Sequence, residues 1–168
     1  MTPTDPAAVA LALAEPFPVA QLRWKPGVVK GDRALAIPYI SAADVMNRLD
    51  KVLGVHNWRD RYRVLPAGGV VCRLSVRIAG EWLTKSDAGG QSEQPDAGDQ
   101  LKAAFSDALK RAGVRFGIAR YLHYVTAVWL PYDPQRRQLD LSKLPALPSW
   151  ARPASTPHPQ PTNGALSR

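Results

Sequence analysis

The 168-residue sequence contains a single cysteine and three histidines. The one cysteine, Cys72, cannot form a disulfide within the chain, and this indicates a reducing compartment. A lone cysteine with the scattered His56, His123 and His158 does not provide the ligands of a structural zinc site. We therefore expect neither a metal nor a disulfide framework.

Long apolar runs are also missing, since no stretch has the length that crosses a bilayer. The segment AAVALALA, residues 7–14, follows two prolines and has no Lys or Arg before it. It therefore does not match a secretory signal. We expect a cytoplasmic protein with no membrane partner.

Acidic residues are scarce relative to basic ones. The chain has 14 Asp and Glu against 22 Lys and Arg, which gives a net charge of +8 and a pI near 10.0. Such a balance favours a polyanionic partner, either nucleic acid or an anionic membrane surface.

Proline is concentrated at one end, because eight of the sixteen prolines follow residue 130. This composition predicts a Pro-rich, mostly disordered tail over 131–168. Residues 1–18 are interpreted as a flexible arm with a short helix, and residues 19–130 as the folded domain. Leu147 and Trp150 are candidates for docking the tail onto a protein partner.

The first helix of the folded domain is predicted after Ser41. Ser41 and Asp44 have the spacing of a capping box, and Gly54 is a typical helix end. The apolar positions between them recur on one helical face. They are Val45, Leu49, Val52 and Leu53.

Three strands are predicted over residues 57–65, 70–78 and 82–90, because apolar and polar side chains alternate there. Three-residue turns at 67–69 and 79–81 would join them into an antiparallel meander. The first turn places Arg63 opposite Arg73, and the second places Asp87 opposite Arg73. All the strand arginines then share one face, which is either a solvated outer face or an anion-binding surface. They are Arg59, Arg61, Arg63, Arg73 and Arg77.

A long helix is predicted to begin after Asp96 or Asp99. Its apolar positions fall within about a third of the helical circumference. They are Leu101, Phe105, Ala108, Leu109, Ala112 and Phe116.

Basic side chains border this apolar stripe on both sides. Lys102 and Lys110 lie on one flank, and Arg111 and Arg115 on the other. Gly113 within the helix indicates the close approach of another backbone, or a bend. The predicted fold class is α+β, an antiparallel β-β-β meander packed on a long helix and preceded by a short helix.

No catalytic residue is assigned. The sequence lacks a phosphate-binding loop, a nucleophile elbow and an H-E-x-x-H helix. The segment PDAGDQLK is similar to a nuclease signature, but its acid and its lysine are one residue too far apart. A metal-dependent nuclease remains the less favoured alternative. Its candidate ligands are Asp60, Asp87, Asp96 and Asp99.

Two stretches, YISAADVMNRLDKVLGVHNW and DALKRAGVRFGIARYL, flank the meander. Together with it they resemble the Rad52-type single-strand annealing proteins, and within that type a bacterial DNA damage response branch, over about 20–130. The resemblance implies a homo-oligomeric ring that binds single-stranded DNA in a basic groove without a nucleotide cofactor. It also implies strand annealing, protection of 3′ ends, association with the nucleoid and no enzymatic activity. The partners expected at the tail are then other repair proteins. The alternative is a generic RNA-binding or duplex-binding module.

The resemblance also implies which residues bind DNA. Lys110 and Arg111 match a DNA-contacting Lys-Arg pair, Lys102 matches a lysine two turns earlier, and Arg77 falls near a strand arginine of an outer DNA path. With the charge pattern, the predicted binding residues are Lys102, Lys110, Arg111, Arg115, Arg77, Arg73, Arg59 and Arg61.

Two positions depart from the family pattern, because Val114 and Asp44 stand where basic residues are expected. These departures predict DNA binding that is weaker or routed differently. Tyr121, Tyr124 and Trp129 are additional candidates for stacking on bases, although aromatic residues in such positions more often belong to the core.

Overall fold

The structure, a computed structural model, describes residues 5–66, 68–90 and 96–154. Within these ranges the chain forms three α-helices and two antiparallel sheets. The predicted α+β class is confirmed. The elements are α1 Pro6–Ala14, β1 Arg23–Lys30, β2 Arg33–Tyr39, α2 Ala42–Leu53, β3 Trp58–Val64, β4 Val70–Ile78, β5 Glu81–Gly89, α3 Ala97–Arg115, β6 Val128–Asp133 and β7 Gln138–Leu139. Short 3-10 helices lie at Val19–Gln21, Arg120–Tyr124, Leu141–Lys143 and Ser149–Ala151. The strand orders of the two sheets are β1-β2-β6-β7 and β3-β4-β5.

The three-strand meander is present, but the register of its first hairpin differs from the prediction. Arg61, rather than Arg63, lies opposite Arg73. The loop runs from residue 65 to residue 69 between the paired Val64 and Val70, so the register is displaced by two residues. Because side chains alternate with a period of two, all five arginines still share one face.

The second hairpin turns more tightly than predicted. Ile78 pairs with Glu81, and the two residues between them, Ala79 and Gly80, have φ values of 50° and 88°. Positive φ at both central positions is the geometry of a type I′ turn. The register therefore changes by one residue, so Asp87 lies opposite Cys72 and faces α3. The prediction that Asp87 lies opposite Arg73 is wrong, because Ser86 occupies that position.

The main core lies between this sheet and α3. The inward side chains of β4 are fully buried, and so is most of the facing surface of α3. Burial raises the pKa of the Cys72 thiol to about 11. A Cβ added at Gly113 would lie 3.0 Å from Val45 Cγ1, so the predicted close approach is to a side chain of α2. The core residues of the two elements are Val70, Cys72, Leu74, Val76, Ala104, Ala108, Leu109, Ala112 and Gly113.

The second sheet was not predicted from the sequence. Its first hairpin joins β1 to β2 through the two residues Gly31 and Asp32, because Lys30 pairs with Arg33. Gly31 has a φ of 60°. A Gly-Asp pair between two runs of alternating apolar and polar residues is a recognised hairpin signal, so this hairpin could have been predicted from the sequence.

The segment before the folded domain is packed rather than flexible. The side chains of Val9, Leu13 and Phe17 are buried in the core. Arg48 of α2 donates hydrogen bonds to the carbonyls of Ala12, Leu13 and Glu15, which satisfies the otherwise unpaired end of α1. The flexible arm is therefore incorrect for residues 5–18, and residues 1–4 lie outside the described part.

The segment after residue 130 is also packed as far as it is described. Leu147 and Ala151 belong to the buried core, so Leu147 contacts its own domain instead of a partner. Proline is compatible with extended chain and tight turns, and a Pro-rich composition therefore does not exclude packing. The predicted disorder is incorrect for residues 131–154, and residues 155–168 lie outside the described part. No helix in the described ranges is long and apolar enough to span a bilayer.

The capping box of α2 is confirmed. Ser41 Oγ accepts a hydrogen bond from the Asp44 backbone at 3.2 Å, and Asp44 Oδ2 accepts one from the Ser41 backbone at 2.7 Å. The same carboxylate oxygen lies 2.7 Å from Arg23 NH1 of β1. Asp44 thus connects the start of α2 to the second sheet.

We expect the Asp44→Ala variant to lose about 1–2 kcal/mol of unfolding free energy at pH 7. Burial alone would raise the pKa of Asp44, but the hydrogen bonds from Ser41 and Arg23 outweigh it and hold the pKa below 3.8. The stabilisation is therefore present above that value and disappears as the pH falls through the lower folded-state pKa. Urea unfolding between pH 7 and pH 2 should show the two proteins converging at acid pH.

The matched control is Asn47→Ala, an exposed position on the same helix. It should change stability by less than about 0.5 kcal/mol at every pH. A constant difference between wild type and the Asp44 variant down to the lowest pH would contradict the assigned role of the carboxylate.

Candidate nucleic-acid interface

A cleft of about 430 Å³ separates the β1-β2 hairpin from α3. We call it the hairpin cleft. The hairpin contributes Lys25 and Tyr39 to its wall, and α3 contributes Lys110, Arg111 and Val114. The arrangement places basic groups of two separate elements on the same open groove.

Tyr39 lies between two of these basic groups. Lys25 Nζ is 6.0 Å and Lys110 Nζ is 5.9 Å from the centroid of its ring, at the outer limit of a cation–π interaction. Lys110 Nζ is also 3.9 Å from an Asp107 carboxylate oxygen in the adjacent turn, a partly exposed pair of little energetic weight. Both ammonium groups are therefore held at the cleft and are not neutralised by a tight ion pair.

Arg111 lines the cleft and also contacts β5. Its Nε donates a hydrogen bond to Asp87 Oδ1 at 3.1 Å, while its side chain remains 55% exposed. A guanidinium carries five N–H donors, so one bond to Asp87 does not exhaust its capacity to bind a phosphate. Arg115 NH1 lies 3.9 Å from the other oxygen of the same carboxylate and is not among the residues that line the cleft.

The other predicted binding residues lie elsewhere. Lys102 is 81% exposed near the start of α3 and pairs with Asp99 at 3.2 Å. The strand arginines form what we call the arginine face, on the side of the sheet that points away from α3. The residues predicted as one binding set are therefore dispersed, because only Lys110 and Arg111 line the hairpin cleft. Lys102 and Arg115 belong neither to that cleft nor to the arginine face. The arginine face consists of Arg59, Arg61, Arg63, Arg73 and Arg77.

Residues 5–130 match the family described as Rad52/22 family double-strand break repair protein. The chain belongs to this family. Among similar proteins is the single-stranded DNA-binding protein DdrA of Deinococcus deserti, 39% identical over 143 residues, which are 84% of this chain and 68% of that protein. The DdrA of Deinococcus radiodurans is 37% identical over 143 residues, or 84% of this chain and 66% of that protein.

The structure accounts for both departures from the expected family pattern. At the first, Asp44 is the capping carboxylate of α2 and binds Arg23, so the acid has a structural role. At the second, Val114 lines the hairpin cleft, and the neighbouring Arg115 is turned toward Asp87. The cleft of this Rad52/22 family member therefore has an apolar section of wall beside Lys110 and Arg111.

Sequence reasoning missed Lys25 and Tyr39, since both belong to the unpredicted hairpin. The available signal was the Gly-Asp turn, which indicates the hairpin but would have placed Lys25 opposite Pro38. A register shift within β1 makes Ile37 the observed partner of Lys25, on the same face as Tyr39. The position of the hairpin relative to α3 depends on tertiary packing, and no local pattern indicates it.

The four candidate nuclease ligands have separate structural roles. Asp60 accepts a hydrogen bond from the Tyr62 hydroxyl at 2.6 Å, which together with burial raises the Tyr62 pKa. Asp87 binds Arg111, Asp96 caps α3 and Asp99 pairs with Lys102. Among the described residues, no group of three His, Cys, Asp or Glu side chains is arranged to hold a metal ion.

Proposed function

We propose that this protein acts in DNA repair by binding single-stranded DNA along the hairpin cleft. In this proposal it forms a homo-oligomeric ring, anneals complementary strands and protects 3′ ends without hydrolysing a nucleotide. The observation that carries the proposal is the placement of Lys25, Lys110 and Arg111 on one open groove. The names of the DdrA relatives, which are single-stranded DNA-binding proteins, support the same ligand.

Cationic side chains at a groove bind the phosphate backbone and release its counterions, which requires no particular base sequence. Lys25 and Lys110 approach Tyr39 from different elements, so a phosphate backbone can pass between hairpin and helix. Bases turned away from such a groove would remain available to a second strand. Annealing then needs only positioning and no covalent step.

Oligomerisation would supply the affinity that one cleft lacks. Three cationic groups form few phosphate contacts, so a single subunit would bind a strand only weakly. Repeating the cleft around a ring raises the effective concentration of each successive site along the same strand. A ring is therefore favoured over separate subunits.

We expect the protein to bind a single-stranded oligonucleotide more tightly than duplex DNA or RNA of the same length, at every salt concentration of a titration. Fluorescence anisotropy gives the affinities and their salt slopes, and light scattering gives the particle mass. Equal affinity for duplex or RNA would favour the generic binding module, and degradation that depends on a divalent metal would favour the nuclease. A protein that stays monomeric when saturated with DNA would contradict the ring.

A further inference from the structure

A second cavity, of about 410 Å³, lies beside the 3-10 helix Arg120–Tyr124. We call it the aromatic pocket. Three of its six lining residues are aromatic, and none of the six is acidic. They are Ala14, Gly117, Arg120, Tyr121, Tyr124 and Trp150.

Two of the aromatic side chains are exposed to an unusual degree for their size. Tyr124 is 72% and Trp150 is 52% exposed, although large aromatic residues generally contribute most when buried. The third ring is fixed, because the Tyr121 hydroxyl accepts a hydrogen bond from the Phe17 backbone at 2.9 Å. The pocket therefore presents preformed ring surface without an occupant from the described residues.

A fixed positive charge borders these rings. Arg120 donates hydrogen bonds to the carbonyls of Val114 and Arg115, each at 2.9 Å, and thereby caps the end of α3. Its orientation is set by this cap, and the residue stays exposed. A ligand that is both planar and anionic complements such a site.

The aromatic pocket and the hairpin cleft lie on different sides of one short helix. A 3-10 helix has three residues per turn, so side chains three apart lie on one face. Ala119, Leu122 and Val125 line the hairpin cleft, whereas Tyr121 and Tyr124 line the aromatic pocket. The same helix is a wall of both cavities.

We propose that the aromatic pocket stacks bases of the single strand where it leaves the hairpin cleft, with Tyr124 and Trp150 as the stacking residues. This inference rests on the proposed function and adds a contribution to DNA binding that comes from base stacking and not from phosphate contacts. Trp150 lies beyond the residues that match the family, in the 3-10 helix Ser149–Ala151. A protein partner with an apolar peptide is the competing occupant, but such a peptide does not complement the exposed charge of Arg120 in the lining of the pocket.

The test compares oligothymidylate with a strand of the same length that carries abasic sites, each over a salt titration. We expect Trp150→Ala and Tyr124→Ala each to weaken oligothymidylate binding by about tenfold. The salt slope should not change, since no phosphate contact is lost. Binding of the abasic strand should change little, and Trp150→Phe should restore most of the lost affinity.

Leu141→Ala is the matched control, because Leu141 is 48% exposed in the same C-terminal segment and lies outside the pocket. It should bind both strands like wild type. If both aromatic variants bind oligothymidylate like wild type, the base-stacking role is overturned and the pocket is left to a protein ligand. A loss accompanied by a smaller salt slope also overturns it. Wild type that binds neither strand instead shows that the proposed function itself has failed.

Discussion

Replacing Gly89 with alanine is expected to destabilise the protein by about 3 kcal/mol, at the upper end of overpacking effects. Gly89 is the last residue of β5 and is buried against α3. A Cβ at this position would overlap the Ala104 carbonyl oxygen and lie 2.5 Å from the Ala108 backbone nitrogen. Both atoms belong to the helix backbone, which cannot rotate away as a side chain can. Strand or helix must therefore shift.

Gly90→Ala is the matched control for this prediction. A Cβ at Gly90 would meet no atom within 4 Å, so the neighbouring glycine differs chiefly in its distance from α3. Urea unfolding should show a change below about 0.5 kcal/mol for this variant. If both variants have the same unfolding free energy, β5 does not approach α3 as closely as described.

The elements that were correctly predicted have strong local signals. The capping box at Ser41 and Asp44 defines the start of α2, and the alternation in β3 and β4 defines two strands whatever their register. The arginine face was predicted correctly despite the incorrect register, because a displacement of two residues leaves each side chain on the same side of the sheet. In the second hairpin the displacement was one residue, which moved Asp87 to the opposite face of the sheet.

The hairpin cleft itself is not predictable from local patterns. Its wall combines residues far apart in the sequence, such as Lys25 and Lys110, and depends on how the second sheet packs beside α3. The charge pattern of α3 correctly indicated two basic flanks. It could not show that Asp87 of β5 would occupy the flank of Arg111 and Arg115.

The second large effect is expected on DNA binding. We predict that the double variant Lys110→Ala, Arg111→Ala binds single-stranded DNA about 100-fold more weakly, since each charged contact contributes about 1.5 kcal/mol or more. Two lost phosphate contacts should also lower the salt slope by about 1.4, at about 0.7 per contact for single strands. Fluorescence anisotropy at several salt concentrations measures both quantities.

The control for this variant removes the same charge from the other basic surface. Arg61→Ala, Arg63→Ala alters two residues of the arginine face and leaves the hairpin cleft intact. If the cleft is the binding site, this variant should lose less than about threefold, through long-range electrostatics alone. A larger loss than that of the Lys110 and Arg111 variant would assign the strand to the arginine face instead.

A change at Asp87 is expected to raise the affinity for DNA and not to lower it, because Asp87 competes with phosphate for Arg111. Asp87→Asn removes the negative charge beside Arg111 and Arg115 while retaining a side chain of similar shape. If Arg111 binds phosphate, affinity for single strands should rise by about threefold, as expected for a partly exposed ion pair. A fall in affinity would mean that Arg111 needs Asp87 to hold its position. The guanidinium would then serve the packing of α3 on β5, and Lys25 and Lys110 would remain the phosphate contacts of the cleft.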